Sequence, residues 1–349
     1  MTIGPRTARV VIALVAAATV LAACADDGSV TPGSADGKAA DVEVPEGFSV
    51  TEVVTGLVGP TQITVLSDGR LVVAQLNGGE RDGTGQIVVV DPGAEEEPTV
   101  LYDELVAPTG VAVLGDEVWV MEQRRLSSGP LVGGELTTVL DDLPFNGRSE
   151  GSLTATDDGR LLYDTSGTLD GVDAAPGSAG LWSIAPGGQP TLVATGFKHA
   201  YARTFGPDGT LWETEMSDGT YDGEPAPDEL VAVEPGDDFG WPQCVGDGTP
   251  VAFYGGTADR CASTPPSQAL FPPGSTPTSV AVAPWDPDVL LVALWNDGRV
   301  VAVPTEGERP VSVTTFLTGI EHPQTLVSDG DRLLVADFGG GRILAVTAT

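Results

Sequence analysis

The sequence is short of basic residues, and that shortage excludes a class of partners. Only 16 lysine and arginine residues stand against 50 aspartate and glutamate residues, which gives a formal net charge of −34 over 349 residues. Nucleic acids and anionic lipid surfaces repel such a field, so neither is an expected partner. Solubility at a cell surface explains most of the acids, because a bound divalent cation accounts for only a few carboxylates.

Histidine and cysteine are also scarce, with two and three residues respectively. No Cys-His cluster is present, which excludes a zinc site of that kind. Cys24 belongs to an N-terminal motif described next, which leaves Cys244 and Cys261 as a predicted disulfide in an oxidising compartment. The bridge would close a short loop, worth roughly 3 kcal/mol in the chain-entropy description.

The apolar run at the N terminus is too short for a stable transmembrane helix. Arg6 and Arg9 precede it, it extends from Val10 to Leu21, and it ends in LAAC at residues 21–24. This arrangement is typical of a lipoprotein signal peptide. We therefore predict a signal peptide at 1–23, lipid on Cys24, a flexible acidic tether at 24–46, and export to the outer face of the cell membrane, with membrane contact only through the lipid. The alternative is an ordinary signal peptide with a chance cysteine.

A repeated unit organises the rest of the chain. PTQITVLSDGRLVVAQ from Pro60 and PTGVAVLGDEVWVMEQ from Pro108 share a Pro-Thr start, an alternating strand, an acidic turn and a second strand. Weaker copies place the turn acids at Asp68, Asp116, Asp158, Asp208, Asp286 and Asp331, at intervals of 48, 42, 50, 78 and 45 residues. Six units with this period predict a β-propeller, whose blades bury their faces against neighbours.

The strand pattern also predicts how the ring closes. Most units offer a third strand, and several a fourth, but the chain ends on a third strand at Ala345-Val346. FSVTEVV from Phe48 can supply the missing outer strand, which would remove the open edges. We predict an all-β, six-bladed propeller over residues 47–349, monomeric and without helices after the signal peptide. The long 78-residue interval predicts an insertion at about 236–275 that contains both remaining cysteines.

One face of such a propeller gathers the loops before each first strand and those joining second to third strands. Both histidines, His199 and His322, fall in loops before first strands, where each is either a base or ligand or an incidental residue. The acidic loop Ser217–Leu230 suits a hard cation such as calcium, or is simply solvated.

The region GFKHAYARTFGPDGTLWETEMSDGTYDGEPAPDELVAVEPGDDFGWPQC resembles the glucose/sorbosone dehydrogenase family of quinoprotein propellers, and the resemblance covers Gly47 to about Val346. PDEL, EPGDDFGWPQC and the later Cys261 are its most specific parts. The resemblance implies pyrroloquinoline quinone at the channel mouth, calcium that polarises it, and oxidation of sugar aldehyde or hemiacetal carbons. It also implies a histidine general base and basic side chains that hold the cofactor carboxylates.

Position by position, the chain departs from this pattern where the chemistry lies. The general-base position falls on Arg148, which stays protonated at neutral pH and cannot accept a proton. His199 is the predicted replacement base. The predicted cofactor-binding residues are Arg148, Lys198 and Gln62, and the predicted calcium ligands are Asp228 and Glu229.

Two functions follow from this pattern. A propeller that kept the scaffold but lost the oxidation would bind a sugar-like small molecule or a surface protein at the channel mouth. An active enzyme would be a calcium-dependent quinoprotein oxidoreductase of aldose sugars, with His199 as base. A third reading is a metal-dependent, lactonase-like hydrolase, for which acids and a cation suffice.

Overall fold

The computed structural model describes residues 41–94, 97–217 and 219–349. The predicted signal peptide, Cys24 and most of the predicted tether lie outside these residues. Among the described residues, no helix has both the length and the apolar character that crossing a membrane requires.

Six four-stranded antiparallel sheets are present in the described residues, which confirms the six-bladed propeller. The strands, from the innermost outwards, are as follows. Blade 1 is Pro60–Val65, Leu71–Asn77, Thr84–Val90 and Thr99–Val106; blade 2 is Gly110–Leu114, Glu117–Glu122, Arg125–Pro130 and Thr137–Leu140; blade 3 is Thr154–Ala155, Leu161–Thr165, Gly180–Ile184 and Thr191–Thr195. Blade 4 is Ala200–Phe205, Leu211–Glu215, Asp228–Val233 and Ala269–Phe271; blade 5 is Pro277–Ala283, Asp286–Leu294, Arg299–Pro304 and Thr314–Thr318; blade 6 is Pro323–Asp329, Arg332–Asp337, Arg342–Ala348 and Phe48–Val54.

The N-terminal strand closes the ring, as the sequence predicts. Phe48–Val54 pairs antiparallel with Arg342–Ala348, in a register that places Phe48 opposite Ala348 and Val50 opposite Val346. The chain reaches the propeller earlier than residue 47, because Glu43 exchanges two backbone hydrogen bonds with Thr318, and Val42 and Val44 pack against the core between blades 5 and 6. The last residues of the predicted tether therefore lie on the propeller.

Apolar side chains that alternate along the strands form a core cluster at each junction between neighbouring blades. The junction of blades 5 and 6, for example, buries Leu291, Leu317 and Leu344, and that of blades 1 and 2 buries Ile87 and Val118. Alternate side chains of a strand point to opposite faces of its sheet, so one half packs against the preceding blade and the other half against the following blade. No blade has a complete core without its neighbours.

The Pro-Thr start of the repeat has a specific role at these junctions. The Thr61 hydroxyl donates to the carbonyl of Pro108 in the next blade, and the Thr278 hydroxyl donates to that of Pro323, both at 3.0 Å. Thr109 makes the corresponding bond to the Glu150 carbonyl at 2.5 Å. We call these bonds the threonine clasps. They satisfy buried carbonyls that strand pairing leaves open, and they join blade 1 to blade 2, blade 2 to blade 3 and blade 5 to blade 6.

The insertion of blade 4 is shorter than predicted. Ala269–Phe271, inside the predicted range, is the outer strand of blade 4, so the inserted segment is 234–268. It contains two-residue strands at Cys244–Val245 and Thr249–Pro250, a 3₁₀ turn at Ala252–Tyr254 and a single-turn α-helix at Ala258–Cys261. These short helical turns qualify the expectation of a helix-free chain. The predicted disulfide between Cys244 and Cys261 is confirmed, with an S–S distance of 2.05 Å.

Replacing Thr278 with valine tests the threonine clasps. The variant keeps the shape of the side chain but leaves the buried carbonyl of Pro323 without its donor, which costs about 1–3 kcal/mol. We expect the free energy of unfolding in urea to fall by that amount. Thr51→Val, on the exposed outer strand of blade 6, is the matched control and should change it by less than about 0.5 kcal/mol. Equal effects of the two variants would contradict the role of the clasps.

Candidate ligand site at the channel mouth

The mouth of the central channel is formed by loops that precede the innermost strands. Arg148 lies before blade 3, Lys198 and His199 before blade 4, and His322 before blade 6. Loops that join second to third strands complete the rim, among them residues 78–83, 123–124, 295–298 and 338–341. The sequence therefore assigns these residues to the correct face.

Two glutamine side chains cross the channel below the mouth. Gln324 of blade 6 donates from Nε2 to the Tyr201 hydroxyl of blade 4 at 2.8 Å, and Gln62 of blade 1 donates from Nε2 to the Leu153 carbonyl of blade 3 at 2.7 Å. Each bond joins blades that are not neighbours. The two side chains and Tyr201 are buried. They form a packed floor that closes the mouth from below.

Gln62, a predicted cofactor-binding residue, has its amide committed to this floor. Its Oε1 accepts from the backbone N–H groups of Val111 at 2.7 Å and Leu153 at 2.9 Å, in addition to the bond that its Nε2 donates. Both lone pairs of the oxygen are therefore used. A cofactor could donate to this oxygen only by displacing bonds that join three blades.

His199, the predicted replacement base, is buried with 1% of its surface exposed. Its Nε2 lies 2.9 Å from the Ser149 carbonyl of blade 3, and its ring packs edge-on against Tyr201. Because a carbonyl only accepts, Nε2 carries the proton in this contact. His199 thus joins blade 4 to a backbone carbonyl of blade 3, as the threonine clasps join other neighbouring blades.

Arg148 lies at a polar corner of the mouth, with 41% of its side chain exposed. Its Nη1 is 3.8 Å from Oε2 of Glu80 in the blade 1 loop. The Ser149 hydroxyl and Nε2 of Gln123 both donate to the Glu80 carbonyl, and Nε of Arg81 donates to the Gly147 carbonyl. Three blades thus meet at this corner, where one carboxylate accompanies two guanidinium groups.

Lys198 stands beside the insertion. Its Nζ lies 5.7 Å from the centre of the Trp241 ring, and its backbone N–H donates to Oε1 of Glu215 at 2.5 Å. The cation over an indole face is a favourable pairing that the motif around Trp241 provides. The Trp-Pro corner of the sequence therefore contributes to the mouth through Lys198.

The structure does not bring the predicted calcium ligands together. Asp228 and Glu229 are consecutive in one strand, so their side chains point to opposite faces of the sheet. The Asp228 carboxylate accepts the N–H groups of Ser217 and Thr276, whereas Glu229 accepts the Ser267 hydroxyl. In the described part of the chain, no set of three or more His, Cys, Asp or Glu side chains is arranged to hold a metal ion.

A network of buried ionisable groups that the sequence did not predict lies where blades 3 and 4 meet, below the mouth. Arg203 donates from Nε to Glu213 at 2.8 Å and from Nη2 to Asp164 at 2.9 Å. Glu150 accepts the N–H of Ser166, and Glu215 lies opposite Glu229 across the strand pair. Asp164 lies in the strand segment LLYDT, and Glu213 and Glu215 lie in LWETE. Acidic residues inside otherwise apolar strands were the one feature of the sequence that could have indicated this network.

The carboxyl groups around Arg203 hold protons at unusually high pH because they are buried. Burial raises the pKa of Glu213 to about 8 and that of Asp164 to about 6, although Arg203 acts in the opposite direction on both. Burial, with the neighbouring charge of Asp164, raises the pKa of Glu150 well above its usual range. Oε1 of Glu150 and Oε1 of Glu213 have no hydrogen-bond partner among the described residues.

The predicted set of residues does not fit the quinone cofactor that the sequence resemblance implies. A tri-acid quinone needs cationic side chains for its carboxylates and a base beside the reacting carbon. Arg148 faces Glu80, Gln62 is used in the floor, and His199 is buried against a backbone carbonyl. Arg148 and Lys198 remain as rim cations, but no base accompanies them in the predicted positions.

The fold belongs to the class seen in quinone-dependent sugar dehydrogenases. No protein-family profile matches the sequence, and no curated protein sequence matches it. Among solved structures, the holo pyranose dehydrogenase PQQ domain from Coprinopsis cinerea is similar, with a TM-score of 0.71 and 18% identity over 88% of this chain and 97% of that one. The PQQ-bound aldose sugar dehydrogenase from Streptomyces coelicolor has a TM-score of 0.68 and 18% identity over 87% and 99%. A calcium structure of a Trichoderma reesei AA12-family protein has a TM-score of 0.66 and 17% identity over 88% and 97%.

The buried network predicts that the protein loses stability as pH rises. The folded-state pKa values of Asp164 and Glu213 lie above those of the unfolded chain, so the folded state binds more protons between about pH 4 and pH 8. The free energy of unfolding should therefore decrease from about pH 4 to pH 8, by up to about 1.4 kcal/mol per pH unit for each proton concerned.

Glu213→Gln tests this dependence, because it removes one titrating group and keeps an oxygen for Arg203. Urea unfolding of the variant should have a shallower dependence on pH between about pH 6 and pH 9. Exposed Glu117→Gln controls for the loss of one carboxylate from the chain. An unchanged slope in Glu213→Gln would mean that Glu213 is ionised in the folded protein throughout this range.

Proposed function

We propose that this protein is a divergent sugar-dehydrogenase-like propeller that binds a small, sugar-like ligand at its channel mouth without oxidising it. One observation carries the proposal: His199, in the position of a replacement base, is buried with Nε2 against the Ser149 carbonyl. A base must reach the proton of its substrate, and this ring is held below the rim. The propeller scaffold supports a ligand site at the mouth, whereas the burial of His199 argues against that residue as the base of an oxidation.

The class of ligand follows from two considerations. The similar structures are described as pyranose and aldose sugar dehydrogenases, which supports a sugar-like ligand for the same mouth. The net charge of −34 disfavours an anionic ligand over a neutral one. The polar corner around Arg148 and Glu80 supplies both donors and acceptors, which suits hydroxyl groups.

The proposed location follows from the N-terminal sequence. Signal peptide 1–23 and lipidated Cys24 would hold the propeller at the outer face of the cell membrane, where the acidic chain stays soluble. The alternative to a sugar-like ligand is a surface protein that binds at the same mouth. Calcium and pyrroloquinoline quinone are not needed for it.

Reconstitution distinguishes ligand binding from oxidation. Protein incubated with pyrroloquinoline quinone and calcium should show no dye reduction that depends on D-glucose, and Arg148→His alone should not create it. Calorimetric titration should show D-glucose binding to the same protein. Glucose-dependent dye reduction would overturn the proposal and establish the enzyme instead.

Arg148→Met locates the binding site. The variant keeps the length of the side chain but removes the donors at the polar corner, so D-glucose affinity should fall by roughly fivefold or more. Arg332→Met is the matched control, because Arg332 pairs with Asp329 at the strand turn on the opposite face. Equal affinities of both variants would place the ligand away from the mouth.

A further inference from the structure

A stacked histidine–tryptophan pair lies on the other side of the mouth. The rings of His322 and Trp295 are 3.7 Å apart and inclined by 13°, and both side chains are half-buried. Trp295 directly follows the second strand of blade 5, and His322 directly precedes the innermost strand of blade 6. The pair therefore stands at the channel rim, across from the corner that contains Arg148.

The backbone holds this pair in place. The N–H of Phe338 donates to the His322 carbonyl at 3.0 Å, and the Phe338 ring lies edge-on to Trp295 at 6.0 Å. His322 adopts φ +66°, a left-handed conformation that costs a non-glycine residue free energy. A residue kept in that conformation is held by its surroundings, so the imidazole has a defined position.

The hydrogen bond of His322 determines its tautomer. Nδ1 lies 3.1 Å from the Trp295 carbonyl oxygen, and a carbonyl can only accept. The proton of the neutral ring is therefore on Nδ1, and Nε2 keeps its lone pair. Nε2 of His322 has no hydrogen-bond partner among the described residues. The proton position is opposite in His199, whose Nε2 donates to a backbone carbonyl in the interior.

The charged groups around the pair are mostly acidic. Glu321 precedes His322, and its side chain lies over Gly339; Asp337, Arg342, Asp297 and Arg299 are on the two loops and strands that adjoin the pair. Arg299 pairs with Asp297, and Arg342 pairs with Asp337 at 2.9 Å. Both cations are thus paired with acids, and an anionic ligand would find no complementary charge here.

We propose that Nε2 of His322 accepts a hydrogen bond from a hydroxyl group of a neutral sugar whose ring lies against the Trp295–His322 pair. This inference rests on the proposed function and assigns the residue that recognises the ligand. An unprotonated imidazole nitrogen accepts from a hydroxyl in the plane of its ring, so the sugar would lie along the ring edges of the stacked pair. The combination of rigid stack and open acceptor favours such a ligand over one that carries a carboxylate.

The tautomer is tested without any ligand. Because the chain has two histidines, nitrogen-15 labelling of histidine gives a spectrum with two imidazole patterns. Long-range proton–nitrogen correlation at about pH 8 should show His322 protonated on Nδ1 and His199 protonated on Nε2, with His322→Asn identifying the signals. A His322 proton on Nε2 would overturn the inference.

Ligand binding is tested with D-glucose and D-glucuronate on the full chain. D-glucose should shift the His322 signals and bind more tightly than D-glucuronate, which has the same ring with a carboxylate. His322→Phe keeps an aromatic ring over Trp295 but lacks the acceptor, and D-glucose affinity should fall by roughly fivefold. His322→Asn, which tolerates the left-handed backbone, should lose affinity similarly.

The possible failures are distinguishable. If D-glucose binds but neither shifts the His322 signals nor distinguishes the two variants from the unaltered protein, this inference fails and the proposed function stands. If D-glucose does not bind at tens of millimolar, both fail. Tighter binding of D-glucuronate would overturn the preference for a neutral ligand. If a variant unfolds, the shift of the His322 signals in the wild-type protein on addition of D-glucose tests the inference by itself.

Discussion

The pairing of Phe48–Val54 with Arg342–Ala348 is the constraint on which the rest of the molecule depends. Each blade buries its faces only against neighbouring blades, so a ring with one unpaired edge would expose backbone groups and core side chains. The pairing joins two segments almost 300 residues apart and completes blade 6. The threonine clasps act on the same ring from inside, since they join the innermost strands at buried carbonyls. The mouth has a defined shape because both sets of bonds fix the positions of the loops.

The blades are not equivalent within this ring. The junctions are filled with apolar side chains, and the junction of blades 3 and 4 also buries Arg203 with several carboxyl groups. Buried ionic groups of this kind add little stability unless every member is satisfied. The innermost strand of blade 3 has only two residues, and the Asp164 carboxylate accepts the Gly151 N–H where a strand partner would otherwise do so. The Asp164 carboxylate therefore takes the place of a backbone partner for Gly151, shortly before the innermost strand of blade 3.

The two histidines show why residue type and loop position do not define a site. Both precede innermost strands at the same face, yet one joins two blades in the interior and the other presents an acceptor at the rim. The difference lies in which nitrogen meets a backbone carbonyl and in how deeply the ring lies. The mouth consequently has a polar side around Arg148 and an aromatic side around Trp295, joined by the floor of Tyr201 and Gln324.

Much of the architecture was determined by the sequence alone. The period of the Pro-Thr units, the alternation of apolar residues and the missing outer strand of the last unit predicted six blades and their closure, because these features are local or follow from counting. RLSSGP, the third strand of blade 2, was missed because it lacks apolar alternation, and its pairing is determined by neighbouring strands. Only the tertiary structure decided that Gln62 crosses the channel, that Asp228 and Glu229 diverge, and that His322 rather than His199 keeps an open nitrogen at the rim. These outcomes depend on side-chain contacts between segments far apart in the chain, for which the sequence carries no local signal.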